Sequence, residues 1–446
     1  CVSSCLILTG ENAAKWEPVQ MAAKIRKQPG GTAIQSSHVK KVSARDRGMW
    51  AILNEAIECR AVPVRVRLML TSPFVNQLLK RDAERRYSEK SKTRPIGLTE
   101  CLVQDALRHR ANRGAKVLAC VLPLFGQSAV GVKAGGESAQ GAAQARCDMS
   151  WQTVTIAIDA ANAFGLLDNE LTYHCLVVLI DLTATDPRAR AALASAEIPL
   201  GAATADLEFM KDDLVWTRTV LFYCLTVVEG QLRRIEPNMG ETQGGLFSAL
   251  RYVVAKAIAV DRPLGIEFPG FVMRSIVDDG ICQVKVSSAA DCERIVRWMW
   301  RLDHLVAGRE RPPYVMADGS EYRVEGALGR LNFGKFKIQQ HVDAVGTDFD
   351  IAAVQERLPY ENAVDDVSGP YRKYPTVTRG VIEFNGVAIG FDEEARRQHV
   401  LHEAGLLEEK VAALEDVIEA VGRHRAEIYG RRSYRATGVL VHQMRA

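Results

Sequence analysis

Three aspartates have types and positions suited to chemistry. Asp159 ends an apolar, β-branched run, Trp151–Ile158, that reads as a strand. Asp278 and Asp279 stand between two further strand-like runs, Phe268–Val277 and Ile281–Val286, and the Asp279-Gly280 step is a strong hairpin signal. Carboxylates at a strand end and in a turn can meet at a sheet edge without being buried unpaired. Such hard oxygen ligands suit Mg²⁺, which takes one or two protein carboxylates per ion and completes its shell with water and phosphate oxygens. Two ions roughly 4 Å apart clamp an in-line displacement at phosphorus, one activating the attacking hydroxyl and the other stabilising the leaving group. An isolated Asp-Asp-Gly is more often a solvated turn, so the elements around it have to carry the case.

Those elements alternate between helix and strand. An amphipathic helix is expected over Met49–Cys59, a strand or short helix over Val62–Leu70, and a charged loop over 81–93. Glu100–Leu118 reads as a helix with Thr99 as its cap, and Asn162–Leu179 as a helix directly after the first aspartate. The Ala-rich stretch 180–202 reads as an inserted loop or helix, and Leu207–Thr226 as a helix. Gly244–Ala259 has helical spacing after a Gly-rich turn, and Ala289–Val306 is helical with Asp291 near its start. Asp318-Gly319 marks a turn, and residues 393–427 carry an apolar stripe through Leu406, Leu407, Val411, Leu414, Ile418 and Val421.

Composition sets the outer bounds. The 446 residues are 47% hydrophobic and 25% charged, enough for a large core in two or three subdomains of ordinary globular type. No run of eighteen apolar residues predicts a membrane span, and the first residues lack a secretory pattern. The sequence opens on Cys1 rather than Met, as expected of a piece of a longer reading frame. The ten cysteines are unpatterned, which points to reduced thiols in a cytosolic or nuclear setting; Cys1 and Cys5, with no second pair nearby, read as loop thiols rather than half of a zinc site. The net charge of +3 hides an asymmetry: residues 1–133 hold 23 Lys and Arg against 10 Asp and Glu, a net +13. Such a front half suits a phosphate backbone.

The order of short motifs supplies the context the aspartates need. Ile158-Asp159-Ala160-Ala161-Asn162-Ala163-Phe164 resembles the first catalytic motif of reverse transcriptases, an Asp followed at a distance by Ala and an aromatic. Gly240-Glu241-Thr242-Gln243-Gly244-Gly245-Leu246-Phe247-Ser248 resembles their Gly-x-x-Gln-Gly…Ser block, and Val277-Asp278-Asp279 their paired aspartates. Leu331-Asn332-Phe333-Gly334-Lys335 resembles the block that follows. Upstream, Lys80 with Arg94-Pro95-Ile96-Gly97, and Gln127 with Gly135-Gly136-Glu137, resemble the finger motifs; Gly386-Val387-Ala388-Ile389-Gly390 resembles the primer-grip hairpin. Seven blocks in family order, from about Pro63 to Gly390, are closest in flavour to non-LTR retrotransposons. The sequence departs from the pattern at Ile276, usually aromatic, at Ala249, often Pro, and at Gly245, often Asp; the segment 180–230 is long for this part of a palm.

The resemblance implies an α+β right-hand polymerase with fingers, a palm built on an antiparallel sheet and a helical thumb. Residues 1–48 would be a basic extension, 49–150 the fingers with part of the palm, 151–350 the palm with an insertion near 180–230, and 351–446 the primer-grip hairpin and thumb. It implies RNA-directed DNA synthesis from deoxynucleoside triphosphates on an RNA template and DNA primer, with two Mg²⁺ ions (Mn²⁺ as a substitute) and a nuclear location. Asp159 and Asp278 would be direct metal ligands and Asp279 a supporting one. Phe164 would gate against a ribose 2′-hydroxyl. Gln243 and Gly244 would face the nucleotide and template base, glycine allowing close backbone approach. Lys80 and Arg94 would neutralise the triphosphate, and Lys335, or Lys337 two residues on, would protonate the leaving pyrophosphate. Two competing readings are a degenerate reverse-transcriptase-like scaffold that only binds RNA, and an RNA-dependent RNA polymerase, against which Phe164 and Gln243-Gly244 argue. No Asp/Glu/His arrangement for an endonuclease or ribonuclease H is present in the sequence.

Overall fold

A computed structural model describes residues 44–71, 74–79, 93–98, 101–128, 130–218, 224–228, 231–235, 240–241, 245–365, 369–405, 408, 411–412 and 415. The fold is α+β. At its centre is a five-stranded sheet of β1 (Thr153–Ile158), β2 (Val272–Ile276), β3 (Asp279–Lys285), β4 (Lys337–Gln339) and β5 (Thr376–Thr378), in the order β5-β4-β1-β3-β2. Only the β4–β5 pair is parallel. The middle strand β1 reads Thr-Val-Thr-Ile-Ala-Ile and is buried at every residue but Ala157. Branched side chains of this kind pack well on a pleated surface covered on both faces.

The covering layer is helical. Helices α1 (Cys101–Val121), α2 (Gly135–Met149), α3 (Asn169–Thr185), α4 (Leu200–Arg218), α5 (Ser248–Lys256) and α6 (Ala289–Val306) surround the sheet. One continuous apolar core joins α1, α3, α5 and α6 to β1, with Trp298, Tyr252, Phe336 and Ile156 among its fully buried members. A smaller core joins α2 to β3 and to a hairpin, β6 (Val381–Phe384) and β7 (Val387–Gly390), through Ala139, Ala143, Cys147, Ile281, Ile382, Phe384 and Ile389. That hairpin turns at Asn385-Gly386, both with positive φ (50° and 81°), the geometry a two-residue turn between twisted strands demands.

Several elements differ from their sequence reading. The helix after Asp159 begins at Asn169 rather than Asn162. Residues 162–166 form a turn opened by Asn162 at φ 48°, and Asp168 caps the helix by accepting the Glu170 N–H at 2.9 Å. The alternating run Val62–Leu70 forms a helix, Val64–Thr71. The Ala-rich stretch is helical, with Asp186 capping Pro187–Ser195. Of the run Leu207–Thr226, the residues to Arg218 are helix and those from Cys224 belong to a strand, Cys224–Val228, held between Phe74–Leu79 and Gln231–Ile235 in a separate four-stranded sheet. Its β-branched end finds non-local partners, and these decide between helix and strand. By contrast α6 spans Ala289–Val306 as expected, with Ser288 as cap and Asp291 closing the box from inside. Thr99 and most of the stripe beyond residue 405 lie outside the described residues. Among the described residues no helix is long and apolar enough to cross a membrane.

Candidate active site

Sheet register brings the three aspartates to one end of the central sheet. Strand β1 pairs antiparallel with β3, placing Ile158 opposite Gly280, and β3 pairs with β2, placing Asp279 opposite Ile276. The residue leaving β1, Asp159, therefore emerges beside Asp279, and Asp278 sits in the connection. The two turn residues are Val277 and Asp278, two positions earlier than the Asp279-Gly280 step suggests. Gly280 serves the sheet instead: a Cβ there would stand 3.3 Å from Ile158 Cδ1, so its small size lets β1 and β3 approach.

The turn is strained. Val277 adopts φ 58°, a left-handed conformation that β-branched residues avoid. Such a residue costs on the order of 1–3 kcal/mol and persists only where its surroundings over-determine it. Here the Gln127 amide donates to Val277 O at 3.1 Å, the Ser275 N–H donates to Gly126 O at 2.8 Å, and the Ser128 N–H donates to Ser275 O at 3.0 Å. The finger-like Gln127 thus braces the aspartate turn rather than standing apart from it.

Lys335 reaches the same place from another direction. The short strand Arg330–Leu331 pairs with Ala160–Ala161, and the Asn332 N–H donates to Asp159 O at 3.0 Å. This carries Lys335 Nζ to 3.3 Å from Asp159 Oδ2, in an open ion pair whose side chains are 63% and 34% exposed. Lys337 stands in β4, exposed and opposite Ala157.

The electrostatics show crowding of negative charge. Asp279 is exposed at the sheet end, yet desolvation by the surrounding protein holds its carboxyl above its usual range, and Asp278, Asp159 and Glu383 of β6 push it the same way, against a weaker opposing pull from Lys256. Among the described residues no group of three or more His, Cys, Asp or Glu is placed to hold a metal ion. Bare carboxylates repel one another, and Asp159 is turned toward an ammonium. The donor chemistry nonetheless suits a divalent cation: three oxygen ligands on adjoining backbone positions, with an excess of negative charge that such an ion offsets. The sign for pH follows. A raised folded-state pKa contributes stability below the ordinary carboxylate range that is lost as pH rises through the folded value. Asp279→Asn is therefore expected to raise the Tm at pH 7 by a small margin, since solvent screens an exposed carboxylate, with the gain vanishing toward pH 4 in a thermal melt series without divalent ions.

The remaining sequence candidates divide. The Phe164 ring packs at 5.2 Å on the buried Tyr252 ring of α5. Gly240 and Glu241 dock on the same turn, donating to Leu167 O at 2.9 Å and Phe164 O at 2.8 Å. Gly240, at φ 95°, could not carry a side chain, since a Cβ would stand 2.7 Å from Gly165 O. Gly240 and Glu241, which precede the Gln-Gly motif in sequence, are thus moored beside the Asp159 segment. Gln243, Gly244 and Lys80 themselves lie outside the described residues, and Arg94 is described only as backbone, opposite Leu78 in the strand Thr93–Leu98. The hairpin carrying Gly386–Gly390 is held by α2: the Gln140 amide donates to Phe384 O and Asn385 O, and Gln144 exchanges hydrogen bonds with Gly390.

Sequence reasoning missed Lys256, Asp261 and Ser275, which form a buried polar cluster directly behind the turn. The available signal was a lysine inside the run Val253-Val254-Ala255-Lys256-Ala257-Ile258, where a charge needs a partner.

No family model matches the chain, and no curated protein matches it. Solved structures do. Apo telomerase from Candida tropicalis, truncated from its C-terminal domain, is 10% identical with a TM-score of 0.39, over 72% of this chain and 53% of that one. Telomerase from Candida albicans in complex with a fragment of telomeric RNA is 9% identical with a TM-score of 0.39, over 74% and 47%. The chain thus spans about half the length of these structures. At that distance the functional reading rests on the chain's own residues.

Proposed function

We propose that this chain is the polymerase core of an RNA-directed DNA polymerase of the non-LTR retroelement type, with a right-hand architecture in which the central sheet is the palm. The observation that carries the reading is the register that delivers Asp159 beside Asp279, with Asp278 in the adjoining turn and Lys335 on Asp159. The substrates are deoxynucleoside triphosphates, an RNA template and a DNA primer, and the location is nuclear.

The reaction joins the primer 3′-oxygen to the α-phosphorus and breaks the bond from that phosphorus to the β-phosphate, releasing pyrophosphate. Two Mg²⁺ ions, or Mn²⁺ in their place, supply activation of the 3′-hydroxyl and neutralisation of the leaving group when held by Asp159 and Asp278 with support from Asp279. The chain's own residues do the rest. Lys80 and Arg94 bind the triphosphate. Gln243 and Gly244 line the nucleotide and template base. Lys335 exchanges its bond to Asp159 for one to the pyrophosphate, and gives it a proton. The basic front half tracks the nucleic-acid backbone without reading sequence.

Phe164 supplies sugar discrimination by shape. Its ring is fixed against Tyr252, so truncation opens space without moving the turn that bears it. Phe164→Val is expected to lower the preference for deoxynucleotides over ribonucleotides by about 10- to 200-fold, the range available to steric discrimination alone. Competing single-nucleotide incorporation measures it.

The test of the whole reading is primer extension on an RNA template with Mg²⁺, dNTPs and NTPs in separate reactions. Extension with dNTPs is the expected result. Extension with NTPs alone would mark an RNA polymerase. RNA binding without extension would mark a catalytically degenerate reverse-transcriptase-like scaffold.

A further inference from the structure

Lys256 and Asp261 form an ion pair directly behind the aspartate turn. Their side chains are 6% and 0% exposed, and Lys256 Nζ lies 3.2 Å from each Asp261 carboxylate oxygen. Lys256 also donates to Ser275 Oγ. Ser275 belongs to β2, two residues before Val277, and its backbone is clamped on both sides by Gly126 and Ser128.

The backbone is shaped to make this contact. On an α-helix, residues five apart project roughly 140° from one another and do not share a face. Residues Ala257–Asp261 instead form a single π turn, closed by the Arg262 N–H on Ala257 O, which carries Asp261 round over Lys256. Such π turns recur at functional sites. A buried ion pair is also a poor source of stability, because apolar residues of like volume do as well or better. Geometry is the remaining reason to have one. Lys256 further shares the wall of a small cavity of about 20 Å³ with Tyr252 and Asp278, so it stands at the base of the turn itself.

We propose that Lys256, held by Asp261 and bonded to Ser275, is a positioning residue that fixes the strained Val277-Asp278 turn and the orientation of its aspartates. Gln127 secures the turn from the side, and Lys256 secures it from behind. The catalytic consequence rests on the polymerase reading; the anchoring does not.

Two variants test it. Ser275→Ala removes the acceptor on β2 and leaves the ion pair whole. Lys256→Met combined with Asp261→Leu removes the pair without stranding a buried charge. In both, amide hydrogen exchange over residues 276–280, measured without divalent ions or nucleotide, is expected to rise by about tenfold. In primer extension, kcat is expected to fall by about 10- to 100-fold, the scale of a misplacement near 1 Å, with KM for the nucleotide within about twofold. Ser275→Thr, which keeps the hydroxyl, is expected to restore both. Wild-type exchange and wild-type kcat in both variants would overturn the proposal. A wild-type chain that never extends a primer would defeat the polymerase reading instead, and the exchange rates would still decide the anchor.

Discussion

Asp278→Asn is expected to abolish nucleotide addition, with kcat for primer extension falling about 10³-fold or more while the chain stays folded. The substitution keeps the shape of the side chain and removes one of the charges crowded around Asp279. Loss of a metal-holding carboxylate removes several kcal/mol of charge stabilisation developed during phosphoryl transfer, and about 4 kcal/mol corresponds to about three decades in rate. Among the described residues no hydrogen bond or ion pair holds the Asp278 side chain, and the turn it lies in is held through its backbone by Gln127 and through Ser275 by Lys256. Single-turnover extension together with circular dichroism separates loss of chemistry from loss of fold. Unchanged extension would remove Asp278 from the proposed mechanism.

Arg251→Met is expected to have the largest effect on stability. Arg251 Nη2 donates to Asp213 Oδ2 at 2.6 Å, Nη1 to Glu241 Oε1 at 3.2 Å, and Nη2 again to Met210 O at 3.3 Å. All three charged side chains are no more than 4% exposed. Removing the cation leaves Asp213 and Glu241 without its compensation, a loss of about 3–5 kcal/mol for a broken buried pair. Burial already holds the Asp213 carboxyl above its usual range, against the pull of Arg251. Without Arg251 that carboxyl rises further, so the destabilisation is greatest at pH 7 and shrinks as acid protonates it. Urea unfolding at pH 7 and pH 5 measures the difference. Because Glu241 precedes the Gln243-Gly244 pair, the same variant is expected to weaken nucleotide binding.

Where the sequence and structure agree, local chemistry decides the outcome. Helix α6 was legible from its helical run with Asp291 near the start, and the structure adds Ser288 as its cap. The hairpin β6–β7 was legible through the resemblance of Gly386–Gly390 to a primer-grip block, and its Asn385-Gly386 turn is supplied by the structure. The strand status of β1 followed from its branched side chains. Where they part, a non-local or costly feature intervenes. The Asp279-Gly280 signal misplaced the turn by two residues, because the strands approach closely at Gly280 and the turn takes a left-handed Val277. The strand Cys224–Val228 depends on partners far away in sequence. The polar cluster behind the turn depends on a π turn, which no helical periodicity announces, so Lys256 read as an ordinary helix residue.

The candidate site divides in the same way. Motif order singled out Asp159, Asp278, Asp279 and Lys335, and the backbone sets these four at one sheet end. It could not show what braces them, because Gln127 and Ser275 act through contacts made across more than a hundred residues or through a buried hydroxyl.

The central claim is that Asp159, Asp278 and Asp279 act as one divalent-cation site. Electron paramagnetic resonance of Mn²⁺, with a primer–template ended in a dideoxynucleotide and a matching dNTP present, tests it most directly. Two Mn²⁺ ions per chain, coupled at a separation of roughly 4 Å and lost in Asp159→Asn and Asp278→Asn, are the expected result. Binding that is absent, or unaffected by either substitution, would contradict it.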